Sequence, residues 1–385
     1  MSLAIGINAS RIRSGGGVAH LIGILRELDP LTFNIDKIHV WSYERLISSL
    51  PNTTWLEKHS PDVLNKSLYE QLLWEFFSLP FELRKTNCQI LLNVDAGSVC
   101  RFHPSITLSQ DLLSYDSGGL DHYTISKSLL RLKVLKYVQN SSLRSAVGAI
   151  FLTNYAAKVI QQSCGLLKNV ALIPHGVGSD FFINRIVCHK NSSEMTRCLY
   201  ISNALPYKHQ WHVIEAVFKL REQGYHLQIE LVGGGEGVAQ RRIVTKIEER
   251  DPNRDFVIQR EFIPQHSLPK ILAGADLFVF ASSCENMPIT LIEAMASGLP
   301  IASSDRGPMP EVLQDGGVYF NPERPESIAQ AIADLLDHPE KREKLARRAR
   351  ELASQYSWKR CADETFSFIV QTALKSQAKA ESLIE

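Results

Sequence analysis

The chain has 385 residues, enough for two domains that each bury a core. Hydrophobic residues make up 44% and charged residues 22%, a balance that excludes disordered and fibrous classes. With 42 basic and 41 acidic residues the formal net charge is +1, so the composition carries no electrostatic footprint for nucleic acid.

The start, MSLAIGINAS, lacks a basic region and is soon followed by charges, so it reads as a first strand rather than a signal peptide. Leu3–Ile7 is that strand, and Val18–Leu28 follows as a helix. Ile38–Trp41, Ile90–Asn93 and Ser105–Leu108 are further strands. Ala149–Thr153 leads into the helix Tyr155–Ser163, and Val170–Ile173 into Pro174-His175-Gly176-Val177. This alternation is the signature of a parallel sheet covered by helices. The polar stretch Cys188–Thr196 interrupts it and reads as a linker.

The alternation then restarts. Strands are expected at Cys198–Ile201, Gln228–Val232, Phe256–Ile258, Leu277–Ala281 and Pro300–Ser303. Helices are expected at His212–Gln223, Val238–Glu249, Leu268–Ala273, Ile289–Ala296, Ile328–Leu336 and Glu340–Gln355. A last helix, about Trp358–Lys375, lies beyond the second sheet. The pattern predicts an α/β protein of two doubly wound domains, residues 1–188 and 189–357, facing across a cleft. Residues 358–385 are expected to pack back on the first. Open α/β sheets bind ligands at the carboxyl ends of their strands, so both sets of loops would line that cleft.

The most informative stretch is SCENMPITLIEAMASGLP, which begins at Ser283. Glu285 lies on a loop after a buried strand, and Pro288 stands where a helix can begin. Glu293 lies in that helix, about 7–8 Å along its axis from Pro288. The amides of Ile289, Thr290 and Leu291 at the helix start attract anions. The pattern suits a nucleotide sugar, with its sugar at Glu285, phosphates at those amides and ribose on Glu293. The plain alternative is a loop acid and an exposed helix acid.

Other motifs surround this one. Gly15-Gly16-Gly17 precedes the first helix and lets backbone approach a phosphate, although the spacing is not a dinucleotide fingerprint. Asn203 and Lys208 follow the first strand of the second half, where a lysine can neutralise a diphosphate leaving group. Gly233-Gly234-Gly235-Glu236-Gly237 can wall a nucleotide pocket, and the backbone of Arg260–Pro264, with Phe262 and Ile263, can read a base edge. Gln110-Asp111 follows a first-domain strand, and Asp111 can contact an acceptor hydroxyl or cap a turn. His20 and His175, also at strand-end loops, read as structural or hinge-related rather than catalytic. His122–Gly148 carries Lys127, Arg131, Lys133, Lys136 and Arg144 among leucines and valines, which suits an anionic membrane or a solvated helix face.

There is no H-e-x-x-H, D-x-D, Walker A loop or G-x-S-x-G elbow, so neither a resident metal nor another cofactor is expected. The seven scattered cysteines form no C-x-x-C pair and fit a reducing, cytoplasmic setting.

Taken together, CENMPITLIEAMASGLPIASSDRGPMPEV, the glycine-rich first loop, IPHGV and the loop lysine resemble the retaining glycosyltransferases of family 4, which have the GT-B fold. Their order is most similar to enzymes that build bacterial O-antigen, capsule or lipopolysaccharide chains. The resemblance implies that Glu285 lies at the donor sugar, Glu293 binds the ribose and Lys208 binds the diphosphate. The family's arginine position holds Asn203, its Gly-Phe-Gly is Asn286-Met287-Pro288, and Gln110-Asp111 stands where many members carry a histidine. Asp111 is then the substitute. The resemblance also implies a nucleoside diphosphate sugar as donor, a glycan or lipid-linked saccharide as acceptor, and no metal; the membrane reading of residues 122–148 would set the chain at the inner face of the cytoplasmic membrane. Two alternatives stay open: another GT-B activity such as a phosphorylase or nucleotide-sugar epimerase, and a non-catalytic sugar-binding subunit.

Overall fold

A computed structural model describes residues 2–13, 15–115, 127–183 and 194–382. Its contacts divide into two compact units. Described residues up to 115, 127–176 and 357–382 form the first unit, and 177–183 with 194–356 form the second. The expected boundary at 188–189 and residues 188–193 of the expected linker lie outside the described residues.

Among the described residues the first unit holds seven parallel strands: β1 (Leu3–Asn8), β2 (Ile35–Trp41), β3 (Leu56–His59), β4 (Ile90–Asn93), β5 (Ser105–Leu108), β6 (Gly148–Phe151) and β7 (Val170–Leu172). Their order is β3-β2-β1-β4-β5-β6-β7. Strands β4, β5 and β6 are buried along their whole length, as continuous apolar runs in a covered parallel sheet should be. The helices are α1 (Gly16–Glu27), α2 (Glu44–Ile47), α3 (Leu68–Leu73), α4 (Leu79–Lys85), α5 (Lys127–Ser145) and α6 (Asn154–Cys164), with a π-helical turn at Trp74–Ser78 joining α3 to α4.

The second unit holds six described parallel strands: β8 (Thr196–Ile201), β9 (Leu227–Val232), β10 (Val257–Arg260), β11 (Leu277–Phe280), β12 (Ile301–Ser304) and β13 (Val318–Phe320). Their order is β10-β9-β8-β11-β12-β13. The helices are α7 (Gln210–Glu222), α8 (Gly237–Arg250), α9 (Leu268–Ala273), α10 (Ile289–Ala296), α11 (Met309–Leu313), α12 (Pro325–Asp337) and α13 (Pro339–Ala353). The chain then returns to the first unit as α14 (Trp358–Glu381).

Register assigns the helices of the first unit to faces. Gly6 of β1 pairs with Leu91 of β4, and Leu91 with Ser105 of β5, so all three point the same way. Leu83 of α4 covers Gly6 so closely that a Cβ there would meet its Cδ2 at 2.2 Å. Thr107, two residues past Ser105, shares that face and lies 3.2 Å from the Ser142 hydroxyl of α5. Helices α4 and α5 therefore cover one face. Gly148 pairs with Ile106 on the other face, where Phe368 of α14 meets it.

Several elements escape a periodicity reading. Strands β3 and β13 are edge strands of four and three residues. The first, Leu-Glu-Lys-His, has two charges and too few positions to show alternation.

Candidate functional site

The second sheet winds outward in both directions from between β8 and β11, its first and fourth strands. Such a switch point leaves a crevice at the carboxyl ends of the two strands, where α/β proteins bind ligands. The loop after β8 carries Lys208 and the loop after β11 carries Glu285.

The two loops are stitched together. Pro206–Lys208 makes a single 3-10 turn, His209 takes a left-handed conformation with φ of 49°, and α7 starts at Gln210. The Tyr200 hydroxyl donates to the Lys208 carbonyl at 2.7 Å. The Ser283 amide donates to the Tyr207 carbonyl at 2.8 Å, and His209 Nε2 lies 2.9 Å from Ser283 Oγ. Held this way, the Lys208 ammonium forms an ion pair with the Glu285 carboxylate, and both side chains are largely shielded from water. Sequence reasoning assigned the two residues to different parts of a ligand; the fold brings them together.

Pro288 stands at the N-cap of α10, which runs over Ile289–Ala296. The amides of Leu291 and Ile292 donate to the Pro288 carbonyl, at 3.2 and 3.3 Å. Ile289 and Thr290, the half-exposed first residues, are the amides without a preceding helical carbonyl. One turn on, Glu293 is 2% exposed. Its Oε1 accepts a hydrogen bond from Gln265 Nε2 at 3.1 Å, whereas its Oε2 is buried without a hydrogen-bond partner. Burial pushes its carboxyl up to about 8, with a further push from the negative charge of Asp180. A buried acceptor with no partner is costly in a folded protein and marks a place for a ligand donor. The exposed-acid alternative for Glu293 does not hold.

Sequence reasoning missed Gln265 and Asp180. Gln265 opens the 3-10 turn Gln265–Ser267, one residue after the Arg260–Pro264 segment, so its proximity to that segment was the available signal. Asp180 lies in the turn Ser179–Phe181 and has no local pattern of its own.

The glycine-rich loop after β9 sits between neighbouring loops. The Gly233 amide donates to the Arg260 carbonyl at 3.1 Å, and the Ala204 amide to the Gly234 carbonyl at 2.6 Å. Gly233 has φ of +127°, and a Cβ there would stand 2.5 Å from the Ser202 carbonyl oxygen. Glycine is thus required for the close approach of β8 and β9 loops as well as for the dihedral. Asn203 is exposed beside this loop, Phe262 is exposed and Ile263 is half-buried.

The remaining expected positions lie in the first unit. Gly15, with φ of +71°, is the N-cap of α1, and Gly16 and Gly17 form its first turn without a side-chain cap. A Cβ at Gly17 would meet Ile12 at 2.9 Å and the Gln110 amide oxygen at 3.3 Å. Asp111 accepts the Leu113 amide at 3.0 Å in an Asx-turn. Burial raises its pKa, and the charge of Asp95 adds to the effect. His20 and His175 are buried 3.0 Å apart through their Nδ1 atoms, and burial lowers both pKa values, that of His20 to about 4. They form an uncharged packing pair beside Trp358.

Residues 189–352 match the family described as glycosyl transferases group 1. This stretch is a group 1 glycosyltransferase domain. The match agrees with the family 4 resemblance. Over 120 residues the chain is 36% identical to spore coat protein SA of Bacillus subtilis (strain 168), covering 30% of this chain and 32% of that protein. Over 169 residues it is 26% identical to O-antigen chain mannosyltransferase B of Escherichia coli, covering 44% of each. The chain thus spans less than half the length of these two relatives. The Anabaena protein HepE, solved in complex with UDP and glucose, shares the fold with a TM-score of 0.69 at 18% identity, over 98% of this chain and 99% of that one. The two Rossmann-like sheets are those of the GT-B fold.

Within the glycosyltransferase domain, the crevice offers one ammonium, two carboxylates of different character and a helix start. Among the described residues no group of three or more His, Cys, Asp or Glu is placed to hold a metal ion. No described helix is long and apolar enough to cross a membrane.

Proposed function

We propose that the chain transfers a sugar from a nucleoside diphosphate donor to a hydroxyl of a glycan or lipid-linked saccharide, with retention at the anomeric carbon, in the synthesis of a bacterial surface polysaccharide. One observation carries this reading. At the switch point of the glycosyltransferase domain, the Lys208–Glu285 pair accompanies a buried, half-satisfied Glu293. The mannosyltransferase relative supports the acceptor class, and HepE with its UDP supports the donor class.

The chemistry follows from the residues. An incoming diphosphate competes with Glu285 for the Lys208 ammonium. The Ile289 and Thr290 amides receive further phosphate oxygens. Ribose hydroxyls donate to the unpaired Glu293 Oε2. The bond from C1 to the phosphate oxygen breaks, its electron pair stays on the diphosphate, and Lys208 stabilises that charge. The acceptor oxygen forms the new bond to C1, and its proton passes to the departing diphosphate oxygen. Glu285, released from Lys208, faces the oxocarbenium-like sugar.

Gly234, Asn203, Phe262, Ile263 and Pro288 are assigned to the donor through the loops they shape, Leu291 through the first turn of α10, and Gly16 and Gly17 through the first turn of α1. Asp111 is assigned to the acceptor side. The positive charge needed at the diphosphate comes from Lys208 and α10, so no metal is required. The acid-free helix α5 is assigned to an anionic membrane surface, with the cytoplasmic face as the setting.

The test is incubation with UDP-, GDP- and dTDP-sugars, with and without saccharide acceptors. Nucleoside diphosphate release that needs acceptor, together with an α-linked product from an α-linked donor by NMR, is the expected result. Release without acceptor, or an inverted product, would contradict the reading. Donor binding with no turnover on any acceptor would favour a non-catalytic subunit.

A further inference from the structure

Helices α3 and α4 and the turn between them carry an apolar row that the fold does not bury. Trp74, Leu79 and Leu83 point inward and are buried. The Trp74 and Trp41 indoles both donate to Glu82, at 2.9 and 2.7 Å, which fixes the inward side. On the outward side Tyr69, Leu73, Phe77 and Phe81 recur every fourth residue, with exposures of 70, 40, 67 and 67%. Tyr69 to Phe81 spans about 18 Å at helical rise. Contiguous exposed apolar side chains of this kind mark an interaction surface.

The net charge around the row is basic, with Glu70 the partly exposed acid within it. Lys66, Arg84 and Lys85 are exposed at its two ends, and the Arg101 guanidinium lies 4.0 Å over the Phe76 ring. The acids of the same stretch are already engaged. Glu70 is bonded by Ser67 and paired with Lys66, Glu75 is buried, and Glu82 lies between two indoles. Helix α5 covers the same face of the sheet and repeats the pattern. Leu130, Val134 and Tyr137 are 66, 56 and 75% exposed, with Arg131 and Lys133 exposed among them and no acid in its 19 residues.

We propose that the outward sides of residues 68–81 and of α5 together form a docking face for an anionic lipid surface. Two apolar helix faces on one side of a sheet, rimmed by lysine and arginine, match a planar partner with an apolar interior and negative headgroups. Aromatic rings sit at headgroup depth, and long basic side chains reach the phosphates. The choice of lipid charge rests on the membrane reading of α5 above; the aromatic row is an independent observation.

The full chain is mixed with vesicles of one part phosphatidylglycerol to three parts phosphatidylcholine, or of phosphatidylcholine alone, and sedimented. Binding to the anionic vesicles that weakens with salt is expected. Phe77→Ser and Phe81→Ser should each weaken it about tenfold. Leu31→Ser, at an exposed leucine outside both helices, should leave it unchanged. Unaltered melting curves show that the variants fold. If the Phe variants bind as tightly as the parent while Arg131→Ser with Lys133→Ser does not, the aromatic row is refuted and the α5 reading survives. Equal binding to both vesicle types, or a concentration-dependent dimer that Phe77→Ser dissolves, would overturn the proposal. The assay uses no donor or acceptor, so its failure leaves the transferase reading untouched.

Discussion

The sharpest quantitative consequence of the site concerns Glu293 and pH. Its carboxyl rises from an ordinary 4.5 to about 8 because the side chain is 2% exposed and Oε2 has no donor. At 1.36 kcal/mol per unit, holding the charge in the folded protein costs about 5 kcal/mol. The sign follows from proton binding. Below about pH 4.5 folded and unfolded chains both hold the proton, and the site carries no penalty. Between about 4.5 and 8 the unfolded chain releases the proton while the folded chain keeps it, so stability falls by about 1.4 kcal/mol per pH unit. Above about 8 the full loss has been reached. Glu293→Gln keeps an oxygen for Gln265 and still buries one unsatisfied polar group, so its absolute stability is not diagnostic. Its slope is, because an amide does not titrate. Melting temperatures of the two proteins from about pH 5.5 to 7.5 should therefore diverge, the parent losing roughly 2 °C per pH unit relative to the variant. Parallel curves would refute the burial argument. Nucleotide binding supplies a second arm. Ribose hydroxyls favour the ionised carboxylate, so UDP affinity of the parent should rise from about pH 6.5 to 8.5 and that of the variant should not.

Lys208→Ala should lower kcat by about 10²–10³ with the fold retained, read as acceptor-dependent diphosphate release; a change of only a few-fold would remove Lys208 from the leaving-group role. Gly233→Ala should destabilise the protein by on the order of 3 kcal/mol, because the new Cβ meets the Ser202 carbonyl at 2.5 Å and the dihedral disfavours any side chain. A urea melt measures it, and an unchanged midpoint would show that the β8 and β9 loops yield at no cost. EDTA treatment should leave turnover unchanged, since Lys208 and the start of α10 carry the phosphate charge in this mechanism; activity lost to EDTA and restored by a divalent cation would overturn that.

Much of the architecture was legible because buried parallel strands announce themselves. Ile90–Asn93, Ser105–Leu108, Leu268–Ala273 and Ile289–Ala296 run as the periodicity predicts, to the residue. Edge strands β3 and β13 were not legible, since each has one neighbour, few residues and no sustained alternation. The stretch 68–85 was not read as a helix either. Its aromatic and leucine residues lie on both sides, and the π-helical turn at Trp74–Ser78 breaks the 3.6-residue period that would separate inward from outward positions. The site shows the same division. Glu285, Pro288 and Glu293 stand in one local motif, so their placement on a loop and a helix was readable. What distinguishes the two acids comes from elsewhere in the chain. Glu285 is neutralised by a lysine 77 residues away, and Glu293 is half-satisfied by a glutamine 28 residues away. Sequence spacing gives two carboxylates eight residues apart; tertiary packing makes one a paired charge and the other a buried acid. The first can exchange its partner for a diphosphate, and the second has one oxygen left for a ribose. A nucleotide sugar would satisfy both at once, and that complementarity favours the donor-site reading over a chance pair of acids.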